Sequence, residues 1–409
     1  MTAPSAVARR SAATRWGIAV AAALVVLTVV SRVAGTPDLL SRGAASATLR
    51  FAVPIVLAGL GGLWAERSGV INIGLEGMMV VGTWFGAWMG YVHGPWWGVL
   101  AAMLSGAAFG LLHALMTVTF GIDQAISGLS INLLAAGAAR FLSSVVFPRY
   151  PNGSISQSPQ VDQIGTVDLP LAEVMLGPLV DSGIPVVTEA ASVLLGLTTE
   201  VSWFTVLAVA LVVLSYVVLW RTTFGLRLRA TGESAAAADS LGVSPNRLRY
   251  AALAISGGFA GLGGAFLVTV AASIYREGQV AGRGFIGLAT VIFGNWMPGR
   301  LFAGSLLFGF TDALRTRQEA TVRALLLAGA VALVVLAMSA VRRGQYRGAV
   351  AAVAVGVALT AWYLATDTFP TQFVGFIPHL TTLVVLAVFS QNLRAPAGIG
   401  IPYRRTEAT

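Results

Sequence analysis

The sequence contains no cysteine and no lysine, and all 26 of its basic residues are arginine. The lack of Cys excludes disulfides, thiolate metal sites and cysteine nucleophiles. The lack of Lys excludes a Walker A lysine, a Schiff-base lysine and a Ser-Lys catalytic pair, so the chain cannot hydrolyse ATP by P-loop chemistry. The histidines His93, His113 and His379 are scattered and stand near no carboxylate at ligand spacing, so we predict no metal site.

Charged residues are also scarce, at 11% of 409 residues, whereas 56% of the chain is hydrophobic and its mean hydropathy is +0.80. This composition lies far from that of soluble domains and predicts an all-α polytopic membrane protein, which we take as one transmembrane domain over residues 1–409. The net charge of +9 also suits nucleic acid, but in membrane proteins basic residues collect on cytoplasmic loops and set the orientation. We expect a multi-pass protein of a bacterial cell membrane without a nucleic-acid partner.

The apolar runs allow the membrane spans to be counted, because a bilayer core of about 30 Å is crossed by roughly 20 helical residues. Arg9, Arg10 and Arg15 before the first run, and Arg394 and Arg405 after the last, place both termini in the cytoplasm and require an even number of crossings. The twelve runs are Trp16–Ala34, Thr48–Trp64, Gly74–Tyr91, Trp96–Phe120, Ala125–Phe147, Trp203–Trp220, Leu248–Ala272, Phe285–Asn295, Leu301–Leu314, Val322–Val341, Ala349–Ala365 and Phe376–Phe389.

A long segment at 148–202 lies between two of these runs and has the charge of an extracytoplasmic loop. It holds no basic residue between Arg149 and Arg221 but six acidic ones, namely Asp162, Asp168, Glu173, Asp181, Glu189 and Glu200. Pro, Gly and Ser crowd its start, and it contains two mildly apolar pieces that suit a membrane surface. Two interpretations stay open: the loop meets an extracytoplasmic partner, or it is solvated and acidic only because of its location.

The segment 221–250, RTTFGLRLRATGESAAAADSLGVSPNRLRY, is a polar, Arg-rich hairpin that the same topology places in the cytoplasm. Thr231 or Ser234 suits the N-cap of a short helix with Glu233 in its first turn and Ala235–Ala238 as its body. Gly242 suits its end, and Ser244 followed by Pro245 suits the start of the next helix. A helix with small side chains fits closely into a groove of another protein. The alternative is an ordinary basic cytoplasmic loop.

Polar residues interrupt the apolar runs in three places that suit a transport pathway. Charges at membrane depth cost roughly 2.5–3.5 kcal/mol each, so they should face a cavity or pair with one another. A broken helix would also expose backbone groups to such a pathway. We predict Glu66 and Arg67 as a structural pair, and the pathway-lining side chains as Asn72, Glu76, Gln124, Ser127, Asn132 and Asn295. The alternatives are a solvated cytoplasmic turn for the first place and bonds between neighbouring helices for the others.

Five tracts, taken together and in order, resemble permease subunits of bacterial ABC importers of the ribose and nucleoside class. The first four are ERSGVINIGLEGMM (Glu66–Met79), DQAISGLSINLLAAG (Asp123–Gly137), GLRLRATGESAAAADSLGVSPNRLRY (Gly225–Tyr250) and GRGFIGLATVIFGNW (Gly282–Trp296). The fifth is the C-terminal tract LRAPAGIGIPYRR, which resembles the closing signature of the nucleoside branch. Each motif alone is weak, but the set covers most of the chain and is specific.

The resemblance implies a type II ABC importer permease fold with about ten core spans. Two permease subunits, here expected to be different chains, would form the pathway. Two cytoplasmic ATP-binding domains would bind ATP and Mg and dock on the 221–250 coupling loop, and an extracytoplasmic lipoprotein would deliver the substrate. The chain itself would bind no cofactor and catalyse no reaction. The predicted ATPase-coupling residues are Arg229, Gly232, Glu233, Ser234, Ala235, Ala236, Ala238 and Gly242.

The sequence departs from the family pattern at 322–365, where two further apolar runs surround a basic turn. We interpret them as an inserted two-span hairpin, since a pair of spans preserves the topology. The predicted function is translocation of nucleosides. Ribose or another simple sugar is the alternative substrate, and an ion-coupled secondary transporter is the more remote alternative, although ionisable groups are concentrated at only a few places in the spans.

Overall fold

The computed structural model describes residues 22, 24–314, 319–342, 344–366 and 393–403, and this part of the chain is overwhelmingly helical. The prediction of an all-α membrane protein is confirmed. In chain order the helices are α1 (Leu24–Val33), α2 (Arg42–Arg67), α3 (Leu75–His93), α4 (Pro95–Ala114), α5 (Gln124–Val146), α6 (Ala172–Val180), α7 (Pro185–Thr198), α8 (Trp203–Arg221), α9 (Thr223–Glu233), α10 (Ala235–Ser240), α11 (Pro245–Phe266), α12 (Arg283–Phe293), α13 (Pro298–Ala313), α14 (Glu319–Arg342) and α15 (Tyr346–Ala365).

Seven helices in the described ranges are long and apolar enough to cross a bilayer, namely α2, α4, α5, α8, α11, α14 and α15. Helices α4 and α11 each end in a turn of π-helix, Leu115–Thr119 and Leu267–Ala271. The predicted total of ten core spans and two added ones stays a prediction. The run Phe376–Phe389 and residues 16–21 and 23 of the run Trp16–Ala34 lie outside the described residues.

The chain divides into two compact units, and the larger comprises residues 48–167, 201–311 and 378–409. Its centre is α11, which packs against α3 and α4. Close approach of α4 and α11 depends on Gly106 and Gly257, because a Cβ on either glycine would overlap the backbone carbonyl of the other. Small residues at such a crossing are typical of membrane helices, where backbone packing replaces the hydrophobic effect. Two short strands, β1 (Thr166–Val167) within the 148–202 loop and β2 (Val201–Ser202) at its end, pair antiparallel.

The smaller unit comprises residues 1–47, 168–200 and 312–377. Helices α14 and α15 form the hairpin that the sequence predicted, with Gly344 in the left-handed region (φ 73°) at the turn. Arg323 ties the hairpin at its other end by donating to the Tyr363 carbonyl at 2.7 Å. In the same unit α6 and α7 are the apolar pieces of the 148–202 segment, and Arg42 of α2 pairs with Glu173 of α6 at 3.3 Å. Whether 1–409 acts as one domain stays a prediction.

Candidate coupling and pathway site

A non-helical connection at residues 68–74 interrupts the helix between α2 and α3. Gly69 has a φ of 92°, a conformation that favours glycine, and ends α2 there. Ser68 and Asn72 are fully buried. Buried backbone outside a helix leaves N–H and C=O groups unpaired unless side chains bind them. The interruption therefore depends on polar groups from neighbouring helices.

Polar side chains of α4 and α5 bind both backbone groups of Ile71. Gln124 Oε1 accepts from the Ile71 amide at 2.7 Å, and His113 Nε2 lies 3.1 Å from the Ile71 carbonyl oxygen. His113 Nδ1 lies 2.9 Å from Ser127 Oγ. Because a carbonyl oxygen only accepts, the neutral ring carries its proton on Nε2 and accepts from the Ser127 hydroxyl. Ser127 thus sets the orientation of the buried His113.

Asn132 lies on α5 five residues after Ser127 and binds the C-terminal end of the 68–74 connection. Its Nδ2 donates to the Ile73 carbonyl at 3.1 Å, and its Oδ1 accepts from the Gly77 amide at 2.7 Å. The Gly77 amide lies in the first turn of α3, where backbone N–H groups have no partner in their own helix. Asn132 therefore fixes the start of α3 as well as the last residues before it.

Asn72 lies at the centre of the connection and has no exposed surface. Its Oδ1 accepts from the Gly74 amide at 3.0 Å and its Nδ2 donates to Ser256 Oγ of α11 at 2.9 Å. The structure thus brings together around one broken helix four of the predicted pathway residues: Asn72, Gln124, Ser127 and Asn132. Their polar atoms hold the backbone in place. Contact of any of them with substrate stays a prediction.

Glu76, the fifth predicted pathway residue, binds the beginning of α12. Its Oε1 accepts from the Gly282 amide and its Oε2 from the Gly284 amide, each at 2.8 Å. A carboxylate at a helix N-terminus is stabilised by the helix dipole and by the unpaired N–H groups. Gly284 allows the approach, because a Cβ there would lie 2.5 Å from the Glu76 backbone nitrogen. Glu76 therefore connects the broken helix to α12.

The turn after α12 holds Asn295, the sixth predicted pathway residue, and Trp296, both in the left-handed region. Asn295 Oδ1 accepts from the Arg394 amide at 2.7 Å. Glu66 and Arg67, predicted as a structural pair, make no ion pair with each other among the described residues and instead both bind Trp296. The indole Nε1 donates to Glu66 Oε2, and Arg67 Nη2 donates to the Trp296 carbonyl at 2.7 Å. The end of α2 is thereby fixed to the 294–297 turn.

The coupling loop contains two short helices, α9 and α10, where the sequence predicted one. Ser234 caps α10 as predicted, since its Oγ accepts from the Ala237 amide at 3.3 Å. Gly242, with a φ of 80°, follows its end. Glu233 is the last residue of α9 and does not lie in the first turn of α10, so that detail was wrong. A cap needs an extended residue, and Ser234 supplies it between the two helices.

One face of α10 is open to contact with another protein. Ala236 and Ala237 are exposed, and Leu241 just beyond the helix is 83% exposed, whereas Ala238 is buried against the larger unit. Exposed apolar residues grouped at the tip of a polar loop indicate an interaction surface. Thr222 caps α9 by accepting from the Gly225 amide at 3.1 Å, so both helices of the loop begin at defined caps.

Two arginines hold the base of this loop through Trp220 at the end of α8. The guanidinium carbons of Arg67 and Arg229 lie 5.1 Å and 5.4 Å from the centre of the indole ring. Arg229 Nε also donates to the Leu219 carbonyl at 2.9 Å. Cations over an aromatic face are attracted by its quadrupole. Arg229, predicted as a coupling residue, therefore joins α9 to α8, and the shared indole brings it close to the end of α2.

The coupling loop touches the broken helix directly at a contact between glycines. A Cβ on Gly232, near the end of α9, would overlap the carbonyl of Arg67, and a Cβ on Gly69 would lie 3.4 Å from Gly232 Cα. Gly398 of the C-terminal segment donates its amide to the Gly232 carbonyl at 2.8 Å. We call Gly69, Gly232 and Gly398 the glycine junction. It brings three segments far apart in sequence to backbone contact.

The comparison with known proteins decides the family. The permease family described as "Branched-chain amino acid transport system / permease component" matches residues 44–338, more than half of the chain. The chain belongs to this family. The resemblance found in the motifs is thereby confirmed, and the transport role and multi-pass membrane location follow at the level of the family. No solved structure matches the chain.

Similar proteins include permeases named for different substrates. The guanosine ABC transporter permease protein NupQ of Bacillus subtilis is 37% identical over 66% of this permease and 80% of its own length. The nucleoside ABC transporter permease protein NupC of Lactococcus lactis is 31% identical over 88% of this chain and 96% of its own. A putative glucose ABC transporter permease protein of Haloferax volcanii is 35% identical over 68% and 78% respectively. ABC permease subunits work with ATPase and substrate-binding partners in general.

Several residues of the permease site could not be predicted from the sequence. In the sequence His113 is an isolated histidine without a ligand set, Ser256 lies in an apolar run, and Trp296 only ends the tract Gly282–Trp296. Each acts through bonds to residues distant in the sequence, and a single polar residue in an apolar run carries no spacing signal that identifies its partners. A search for buried polar residues beside the break would have found His113. In the described ranges no group of three or more His, Asp or Glu could hold a metal.

Proposed function

We propose that this chain is the membrane-spanning permease subunit of an ATP-driven importer of nucleosides. The observation that carries the proposal is the glycine junction, where the coupling loop touches the broken helix at Gly232 and Gly69 without any intervening side chain. Two relatives that are named as guanosine or nucleoside permeases support the substrate class. The chain does not hydrolyse ATP itself, since it lacks any Lys for a Walker A loop.

The partners follow from this role. Two cytoplasmic ATP-binding domains bind ATP and Mg and dock on the exposed face of α10, with Ala236 and Leu241 at the contact. A second permease subunit, a different chain, completes the pathway, and an extracytoplasmic lipoprotein delivers the nucleoside to the 148–202 side. Both termini and the 221–250 loop lie in the cytoplasm in this proposal, which the arginine distribution supports.

The mechanism is a rigid-body movement passed from the loop to the pathway. When the ATPases close, α10 and α9 move together, because Ser234 joins them with a single extended residue. The movement reaches α2 through the Arg67 backbone at Gly232 and reaches α12 through Glu76. Packed elements shift as units in such transitions. The buried hydrogen bonds around Ile71 keep the broken helix intact while it shifts.

The substrate is bound weakly in the pathway. Affinity for the nucleoside resides in the lipoprotein, so the pathway needs neutral polar groups and few charges. Asn72, Gln124, Ser127, Asn132 and Asn295 supply such groups, and Glu76 supplies the one carboxylate among the predicted pathway residues. In the described conformation these groups bind backbone or, for Ser127 and the Asn72 amide nitrogen, the side chains of His113 and Ser256, so a substrate would meet them only when the connection at 68–74 moves.

A sugar importer is the second candidate function, because one relative is named a putative glucose permease at 35% identity. Competition decides between the two. Vesicles containing the complete importer take up labelled guanosine, and unlabelled uridine, ribose and glucose are added in excess. The proposal predicts that uridine reduces guanosine uptake while ribose and glucose leave it unchanged. Uptake of labelled ribose or glucose, with none of guanosine or uridine, would favour the sugar importer.

A further inference from the structure

The C-terminal segment 394–403 has no helix or strand, yet its backbone is bonded to three separate parts of the larger unit. We call this segment the strap. Its amide donors reach partners in the 294–297 turn, in the coupling loop and in the broken helix. The four bonds run from Arg394 to Asn295 Oδ1 at 2.7 Å, from Ala397 to Glu233 Oε2 at 3.1 Å, from Gly398 to the Gly232 carbonyl at 2.8 Å and from Gly400 to the Gly69 carbonyl at 3.0 Å.

The two glycines of the strap are required by this path. A Cβ on Gly398 would lie 2.9 Å from the Gly232 carbonyl oxygen, which is too close for the hydrogen bond to persist unchanged. Gly400 has a φ of 78°, which turns its amide towards Gly69. An ordinary residue at either position would therefore loosen one of the two bonds that hold the strap to the glycine junction.

Buried Arg249 of α11 supplies a second connection between the strap and the broken helix. Its Nε donates to the Ser68 carbonyl at 3.4 Å and its Nη2 donates to the Ile401 carbonyl at 3.2 Å. A guanidinium with a fixed fork of donors bonds two carbonyls at once. The broken helix and the strap are thus held to each other both directly, through Gly69 and Gly400, and through the α11 side chain.

We propose that the strap makes the coupling loop and the broken helix move as one body in both directions of the transport cycle. The proposal deepens the proposed function and rests on it. Packing at Gly232 against Arg67 transmits a push, because atoms in contact cannot interpenetrate. It transmits a pull poorly, because separating the surfaces loses only weak dispersion contacts. The strap adds hydrogen bonds to both sides of the contact, so withdrawal of the coupling loop also draws the broken helix with it.

The strap also binds the 294–297 turn, which holds the predicted pathway residue Asn295. Arg394 binds Asn295 in the turn after α12, whose other end is held by Glu76. A pull on Gly232 is therefore passed along the strap to both the α2–α3 connection and the 294–297 turn. Without the strap these elements would still be held to each other through Trp296, but their link to the coupling loop would depend on packing, on the Trp220 contacts and on the bond from Arg249 to the Ser68 carbonyl.

The test uses the complete importer, reconstituted in vesicles, and measures nucleoside transported per ATP hydrolysed. The strap variants are Gly398→Ala, Gly400→Ala and their combination. Gly299→Ala is the control for the added methyl group, because a Cβ there meets nothing within 4 Å. Gly344→Ala is the control for backbone strain, because its φ is 73° and its surroundings are also open.

The expected result is a fall of at least about fivefold in transport per ATP for the double variant, the lower end of typical coupling between sites. The amount of ATPase recovered with the permease should stay near wild type, and both controls should transport normally. A double variant that transports as many nucleosides per ATP as wild type would overturn the strap proposal. Failure of the wild-type complex to show ATP-dependent uptake would instead overturn the proposed function.

Discussion

Gln124 Oε1 accepts a hydrogen bond of 2.7 Å from the amide of Ile71, a residue 53 positions earlier in the chain. The bond joins α5 to the middle of the broken helix, where the Ile71 amide has no helical partner. Together with His113 on the Ile71 carbonyl, it allows a non-helical segment to be buried among helices. The first prediction concerns this bond.

Gln124→Leu should destabilise the permease by about 1–3 kcal/mol, the usual cost of leaving a buried donor without a partner. The measurement is the thermal unfolding midpoint of the detergent-solubilised protein. Ser130→Ala is the matched control on the same helix, because the Ser130 hydroxyl donates only to the Ile126 carbonyl of its own helix. Equal midpoints for the two variants would contradict the role assigned to Gln124.

Glu76 should stabilise α12 through both of its carboxylate oxygens. Glu76→Gln keeps one acceptor but loses the charge beside the helix dipole, while Glu76→Ala leaves the Gly282 and Gly284 amides without their partner. We expect the free energy of unfolding to fall by roughly 1 kcal/mol in Glu76→Gln and by more in Glu76→Ala. The measurement is the thermal unfolding midpoint, which should be highest for wild type, lower for Glu76→Gln and lowest for Glu76→Ala. The account of this contact fails if the alanine variant is as stable as wild type.

Ala236→Arg should abolish nucleoside uptake while leaving membrane insertion normal, because a long charged side chain replaces a methyl group at the exposed face of α10. Uptake and the amount of permease in the membrane are measured together. Ala230→Arg is the control, since Ala230 is exposed on α9 and lies outside the proposed docking face. Normal uptake by Ala236→Arg would show that the ATPases dock elsewhere.

Local features of the site could be predicted from the sequence because they depend on neighbours in the chain. Ser234 as a cap, Gly242 after the short helix and Pro245 at the start of α11 follow from turn and capping preferences. The interruption around Asn72 followed from charges and glycines within an apolar run. The order of elements in the coupling loop was predicted less well, since α9 begins at a Thr222 cap that the basic composition concealed.

The long-range bonds could not be predicted in the same way. Glu76 binds amides more than two hundred positions later, and Gly398 binds Gly232 although α10 to α15 lie between them in the chain. Helical periodicity reports which face of a helix is buried and does not identify the helix that covers it. The C-terminal tract was recognised only as a family signature. Its glycines have a physical reason that becomes visible when the backbones meet at the glycine junction.

The energy source for uptake tests the central claim most directly. Vesicles containing the complete importer and its lipoprotein are supplied with labelled guanosine, with ATP or with an imposed proton or sodium gradient. The account predicts uptake that requires ATP, continues when ion gradients are collapsed and stops when the partner ATPase is inactivated. Uptake driven by an ion gradient after ATP depletion, with no ATPase recovered alongside the tagged permease, would contradict it.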